Sequence, residues 1–332
     1  MLSSSTLPHK RELPNITIVH AFIGLQLTGG IGMVLLLLTT WVFRSISKRK
    51  KTWYSFCISW IISCLSYCLL FFGGEQTIFD QEVPTYRLCL AQAALVYSGP
   101  PLTGATTFAL FLEVSWSVNA VLSGTLSANK SALVYHSLYI IPYCLWVVLT
   151  VSFLIYGHTF PATVQRDTAN TYCVLNSTVP PILTSALVVV AALLVLITLG
   201  MLIFHLKKSQ ADQLRVLRSN YLKAFLIRLV IFVGFGVVAI CIGIVYTFNR
   251  TPGPEYDLAM AALPVGGFIV FGTQKDIMKE WIKIFRRIQH YLPTSKKTKE
   301  FGILLQKRDR NGNEHGIASQ EVLISNLSSE IV

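Results

Sequence analysis

Few residues in this chain are equipped for chemistry, and their positions say more than their number. Seven cysteines occur, none in a Cys-x-x-Cys spacing. Cys57, Cys64, Cys68, Cys144 and Cys241 fall inside apolar runs, where a thiol behaves as a small hydrophobe. Cys89 opens the third apolar run, and Cys173 lies in the polar connector between the fourth and fifth. Both fall on the side that the charge pattern below makes extracytoplasmic, where a disulfide persists. Bridged, they would pin that connector across the mouth of a helix bundle; the alternative is two unrelated thiols. Glu113 near the end of the third run and Arg228 near the start of the sixth are the ionisable residues placed closest to lipid. Either they form a conformational latch between two helices, or each snorkels to water. Pro100 and Pro101, within Tyr97-Ser-Gly-Pro-Pro-Leu-Thr-Gly, remove two backbone donors and predict a helix kink, with freed carbonyls left to neighbours such as Thr103. That kink opens a cavity, acts as a hinge, or only improves packing.

Enzymatic constellations are absent from the sequence. His20, His136 and His205 lie on different runs without carboxylates at metal-ligand spacing. No G-x-S-x-G, P-loop or H-E-x-x-H occurs, and the seventh run holds no lysine for a retinal Schiff base. No enzyme activity, metal or cofactor is expected.

The elements that position these residues follow from composition. With 53% hydrophobic and 13% charged residues among 332, the chain is more apolar and less charged than soluble domains, and lipid is the simplest solvent for it. A hydrocarbon layer of about 30 Å needs roughly 20 apolar residues per helix. Seven stretches qualify: 18–43, 53–72, 88–118, 133–156, 181–206, 224–248 and 256–272. The fold expected is all-α, a seven-transmembrane helix bundle. The first 15 residues show no apolar stretch followed by a small-residue cleavage site, so the first span is expected to target the chain.

Orientation follows from basic residues, which stay cytoplasmic beside a span. Arg44, Lys48, Arg49, Lys50 and Lys51 follow the first span; Lys207, Lys208, Arg215, Arg218 and Lys223 follow the fifth; more occupy the C-terminal segment. The opposite connectors hold Arg87, Arg166 and Arg250, with Lys10 and Arg11 ahead of the first span. The N-terminus is thus expected outside and the C-terminus in the cytoplasm, and the formal charge of +12 reads as membrane topology rather than a nucleic-acid face. Glycosylation triplets at Asn15, Asn176 and Asn249 fall outside; those at Asn129 and Asn326 fall inside and should be inert.

Beyond the seventh span, Ile277, Trp281, Ile284, Phe285, Ile288 and Leu292 recur at helical spacing among Lys279, Lys283, Arg286 and Arg287. This predicts an amphipathic helix lying on the anionic inner leaflet, or else an ordinary soluble one. The expected organisation is an extracellular N-terminus (1–17), a seven-helix domain (18–272), the amphipathic helix (273–292) and a disordered cytoplasmic tail (293–332).

Seven spans, an outside N-terminus, the Cys89 and Cys173 placement and the basic amphipathic helix together resemble a G-protein-coupled receptor, up to about Leu292. More narrowly, Lys51-Thr-Trp-Tyr-Ser-Phe, Cys89-Leu-Ala-Gln-Ala-Ala-Leu-Val-Tyr with Pro100-Pro101, and Phe271-Gly-Thr-Gln-Lys-Asp-Ile are similar to orphan seven-helix receptors of basidiomycete fungi. The sequence departs from the rhodopsin-like pattern in three places: Val114 follows Glu113, Pro264-Val-Gly-Gly-Phe replaces the tyrosine motif of the seventh span, and the sixth span lacks proline. The resemblance implies a plasma-membrane receptor that senses an extracellular ligand and signals to a heterotrimeric G protein. Ligand would sit among the outer halves of the spans, with Tyr97, Ser98 and Tyr246 as candidate wall residues. The 207–223 connector and the helix from Lys275 would face the G protein. The rival expectation is a small seven-helix transporter or lipid-handling membrane protein; a non-signalling scaffold is a third.

Overall fold

The computed structural model describes residues 16–43, 49–75, 85–122, 132–167, 170–209, 227–238, 241 and 254–291. The terminal segments 1–15 and 292–332, and with them Asn15 and the expected disordered tail, lie outside the described residues, as do Tyr246 and Asn249.

Nearly everything described is helical. The elements are α1 (Ile16–Val42), α2 (Lys51–Tyr67), α3 (Leu69–Phe72), α4 (Tyr86–Leu122), α5 (Ala132–Thr159), α6 (Val179–Ser209), α7 (Ile227–Val238), α8 (Pro254–Gly272) and α9 (Lys275–Tyr291). Each expected apolar stretch is helical where it is described. The second is split at Cys68 into α2 and the single turn α3. Between α5 and α6 an antiparallel hairpin pairs β1 (Val164–Arg166) with β2 (Cys173–Leu175), Arg166 opposite Cys173.

Burial shows what solvent these helices suit. Their exposed faces carry large apolar side chains: Leu38 and Trp41 on α1, Ile141 and Val148 on α5, Ile182 and Ile197 on α6. A helix apolar all round belongs in lipid or deep inside a protein, and these outer faces have no protein over them. Three helices, Ile16–Val42, Val134–Thr159 and Val179–His205, are long and apolar enough to cross a membrane among the described residues.

Close packing of α1 on α8 depends on glycine. A Cβ built at Gly29 would lie 2.5 Å from the Pro264 Cβ, and one at Gly32 would lie 2.4 Å from the Phe268 ring. Small residues at such a seam let backbones approach, the usual device where lipid removes any hydrophobic drive between helices. The buried centre is aromatic. Phe56 of α2 packs against Phe232 of α7 and Phe271 of α8 with ring centroids 5.6 and 5.0 Å apart. Trp60 meets Phe232 on one side of this cluster, and Trp53 is buried in the same core.

Helix α4 runs unbroken through Pro100 and Pro101. The prolines withhold the amide donors of the Val96 and Tyr97 carbonyls. The Thr103 hydroxyl donates at 3.0 Å to the Pro100 carbonyl, which the prolines do not free. The Tyr97 carbonyl, whose in-helix donor Pro101 removes, accepts from Thr184 of α6 at 2.9 Å. The proline pair therefore joins α4 to α6 by a hydrogen bond that a regular helix would keep to itself. At the far end, α9 turns 87° away from α8.

Candidate functional site

Two clusters of polar residues stand out, one at the hairpin end of the bundle and one at the α9 end, with the aromatic core between them.

At the hairpin end a cavity of about 530 Å³ is walled by α1, α2, α4, α6, α7 and α8 and roofed by Tyr172 and Val174. That volume is typical of a small-molecule site. The roof is held by several bonds. Cys173 forms a disulfide with Cys89 of α4, with Cα atoms 5.3 Å apart. The Cys173 amide donates to Gln92 Oε1 at 2.9 Å, and Gln92 Nε2 donates to the Tyr67 carbonyl at 2.9 Å, beside the junction of α2 and α3. One buried amide thus ties hairpin, α4 and α2 together. Arg166 Nη2 donates to the Glu75 carbonyl at 2.6 Å. Asn176, directly after β2, is exposed.

Tyr172 closes the roof. Its ring stacks on Phe22 at 5.7 Å and meets Tyr67 edge-on at 5.3 Å. Its hydroxyl donates to Asp257 Oδ1 at 2.9 Å, and Thr171 Oγ1 donates to Asp257 Oδ2 at 3.3 Å. Burial first, then the Asp257 carboxylate, hold the Tyr172 phenol well above its ordinary range, so it stays a neutral donor. Asp257 lies in the first turn of α8, which begins at Pro254. A proline fits the first helical position, and an acid there suits the helix dipole.

Two atoms of the cavity wall are left over. Gln26 is 2% exposed and Trp60 8%, and neither Gln26 Oε1 nor Trp60 Nε1 has a hydrogen-bond partner among the described residues. Both side chains line the cavity. Unmatched polar atoms cost free energy when buried, and at a cavity wall they point to a ligand that completes them.

Of the expected wall residues, Tyr97 lines the cavity and its hydroxyl donates to the Leu175 carbonyl of the hairpin at 3.5 Å. Ser98 does not line it. Successive helical residues point about 100° apart, and Ser98 turns instead toward α5, accepting from Thr150 Oγ1 at 2.8 Å. Pro100 and Thr103 are wall residues; Pro101 is not.

At the α9 end Glu113 and Arg228, read from sequence as either a latch or two residues reaching separately for water, have separate partners in the structure. Glu113 accepts from Thr52 of α2 and has Lys50 Nζ at 3.9 Å. Lys50 also donates to Ser117, one turn along α4. Arg228 reaches the Thr273 carbonyl at 2.5 Å, at the exit of α8. The nearer cation takes the carboxylate, and the freed carbonyl of a helix end takes the guanidinium. A second ion pair joins Arg49 to Asp276 of α9 at 2.5 Å, with Arg49 over the Trp53 ring at 5.8 Å. Trp281 Nε1 donates to Thr39 Oγ1 of α1 at 2.9 Å. Lys275 opens α9 and is exposed.

Sequence reasoning overlooked Gln26, Trp60, Gln92 and Asp257. Only Asp257 carried a signal, as an acid at the start of an apolar run. Comparison with protein-family models and with curated proteins gives no match for this chain.

Proposed function

We propose that this chain is a seven-helix membrane receptor of the G-protein-coupled kind, with ligand bound at the hairpin end and a signalling partner at the α9 end. The observation that carries the proposal is the pairing of a roofed cavity holding unmatched polar atoms with an ionic network at the opposite pole. In this reading α2 and α3 together make the second span, and α1, α4, α5, α6, α7 and α8 make the others. The charge pattern then directs the hairpin outward and α9 to the cytoplasmic leaflet of the plasma membrane. Exposed Met278, Ile282 and Phe285 on α9, at spacings of four and three residues and beside Lys279, Lys283 and Arg286, suit a helix lying in that leaflet.

The aromatic cluster supplies a physical link. Trp60 and Phe232 form part of the cavity wall, Phe271 packs on Phe232, and Trp53 in the same core carries Arg49. Ligand acts by binding better to the arrangement in which the α9-end pairs have separated, since only differential affinity shifts such an equilibrium. A heterotrimeric G protein would occupy the face so opened, between the 207–223 connector and α9.

The test is nucleotide exchange by purified Gα subunits in proteoliposomes containing the chain. Ligand-independent exchange above that of empty vesicles, lost on deletion of residues 210–222, supports the reading. Equal exchange with and without the chain, across several Gα classes, contradicts it.

A further inference from the structure

The cavity wall says what class of molecule belongs inside it. Asp257 is the only charged residue lining the cavity among the described residues, and Tyr172 and Thr171 already donate to its two oxygens. Among the described residues no lysine, arginine or histidine lines it, so an anion would lose its water and meet no counter-charge on this wall. Four wall hydroxyls are spent on backbone carbonyls: Tyr97 on Leu175, Thr103 on Pro100, Thr107 on Thr103, and Thr184 on Tyr97. The Ser63 and Ser185 hydroxyls also line the cavity; among the described residues, the fully buried wall atoms left without a partner are one acceptor on Gln26 and one donor on Trp60.

Their separation can be read from helix geometry. A Cβ at Gly30 would touch the Cys64 Cβ at 3.1 Å, so these residues lie level where α1 passes α2. The two helices are antiparallel, with Phe22 against Tyr67 toward the hairpin. Gln26 is four residues to the hairpin side of Gly30 and Trp60 four residues to the other side of Cys64. At about 1.5 Å per residue the two side chains are anchored ~12 Å apart along the bundle. A small compact polar ligand cannot reach both.

The wall between α6 and α7 is also part of the outer surface. Val189, Leu196 and Val237 line the cavity yet are 40%, 41% and 36% exposed. The hairpin end, by contrast, is roofed by Tyr172, its ring packed on two others and its hydroxyl bonded. We propose that the cavity binds an elongated, uncharged, lipid-like molecule bearing a hydrogen-bonding oxygen function toward each end, admitted from the bilayer between α6 and α7. The oxygen function at one end donates to Gln26 and that at the other accepts from Trp60, with hydrocarbon between. The inference rests on the membrane reading above, but not on G-protein coupling.

The test uses the full chain in phosphatidylcholine nanodiscs and a long-chain α,ω-diol carrying a mid-chain photoreactive diazirine. Competitors are dodecane-1,12-diol, the matching dicarboxylate and the matching bis-trimethylammonium compound. The expected result is saturable labelling of α2, α4 or α6 wall residues, displaced by the diol at least about tenfold better than by either charged analogue. Gln26→Leu and Trp60→Phe should each weaken diol displacement about fivefold, the share of one neutral hydrogen bond. Leu196→Trp should slow labelling by probe preloaded in the bilayer. Equal displacement by a charged analogue, or labelling confined to the outer surface, overturns the ligand class. An unchanged labelling rate in Leu196→Trp overturns the route. The competitor series on the unaltered chain stands even where a variant fails to fold. Binding is read without any G protein, so its failure and a failure of nucleotide exchange are separate results.

Discussion

The two ends of this bundle are held together by different physics. At the hairpin end a covalent bond, a buried amide and a stacked tyrosine fix the roof over the cavity. At the α9 end the corresponding ties are ion pairs and single hydrogen bonds: Arg49 to Asp276, Lys50 and Thr52 to Glu113, Trp281 to Thr39. Ties of the first kind hold one geometry. Ties of the second kind can exchange partners with water where water reaches them, as at half-exposed Asp276; Arg49 and Glu113 are buried, so their pairs open only when the helices around them move. The contrast suits a molecule that keeps a preformed pocket at one pole and rearranges at the other.

The largest effect should come from the residue between the two regions. Phe56→Ala removes a fully buried ring that touches three other aromatics, and a loss of ~3–5 kcal/mol is expected. Hydrogen exchange should accelerate at both ends; acceleration at one end alone would mean that the core does not connect them. Replacing Cys89 and Cys173 together by serine should cost ~2–4 kcal/mol. Here the loosening should be confined to 164–176, leaving the α9 end protected. Glu113→Ala leaves Thr52 and Lys50 without their carboxylate and should cost ~1–3 kcal/mol. On the proposed function it also raises ligand-independent nucleotide exchange. The smallest effect, ~0.5–1.5 kcal/mol in thermal unfolding, is expected for Thr184→Val, which removes the donor to the Tyr97 carbonyl.

Length and oiliness made the helices legible, because lipid permits little else than continuous apolar helix. The Cys89–Cys173 bond was legible for a related reason: one cysteine at the outer start of an oily run and one in the connector on the same side of the expected topology had few other uses. Thr103 was expected to take a carbonyl freed by the prolines; it bonds the Pro100 carbonyl instead, and the freed Tyr97 carbonyl goes to Thr184 on another helix, which sequence spacing does not show. Side-chain direction was not legible. Tyr97 and Ser98 are neighbours in sequence but face opposite tasks, and a fraction of a turn decides which meets the cavity. The partners of Glu113 were not legible because Arg49 and Lys50 look, in sequence, like topology charges only; in the structure Lys50 reaches α4 and Arg49 reaches α9. Gln26 and Trp60 are ordinary residues within apolar runs. Their role emerges only when burial removes every other partner.

On the proposed function, the α9 end separates for signalling while the hairpin end stays closed. That separation is tested most directly by bridging Arg49→Cys and Asp276→Cys with a short bifunctional thiol reagent. The background carries Cys144→Ser and Cys241→Ser, since these are the exposed free thiols among the described residues. Gα nucleotide exchange is then compared before and after bridging in the same proteoliposomes. Exchange that falls to the level of empty vesicles on bridging is the predicted result; exchange that continues undiminished across the bridged pair would contradict the account.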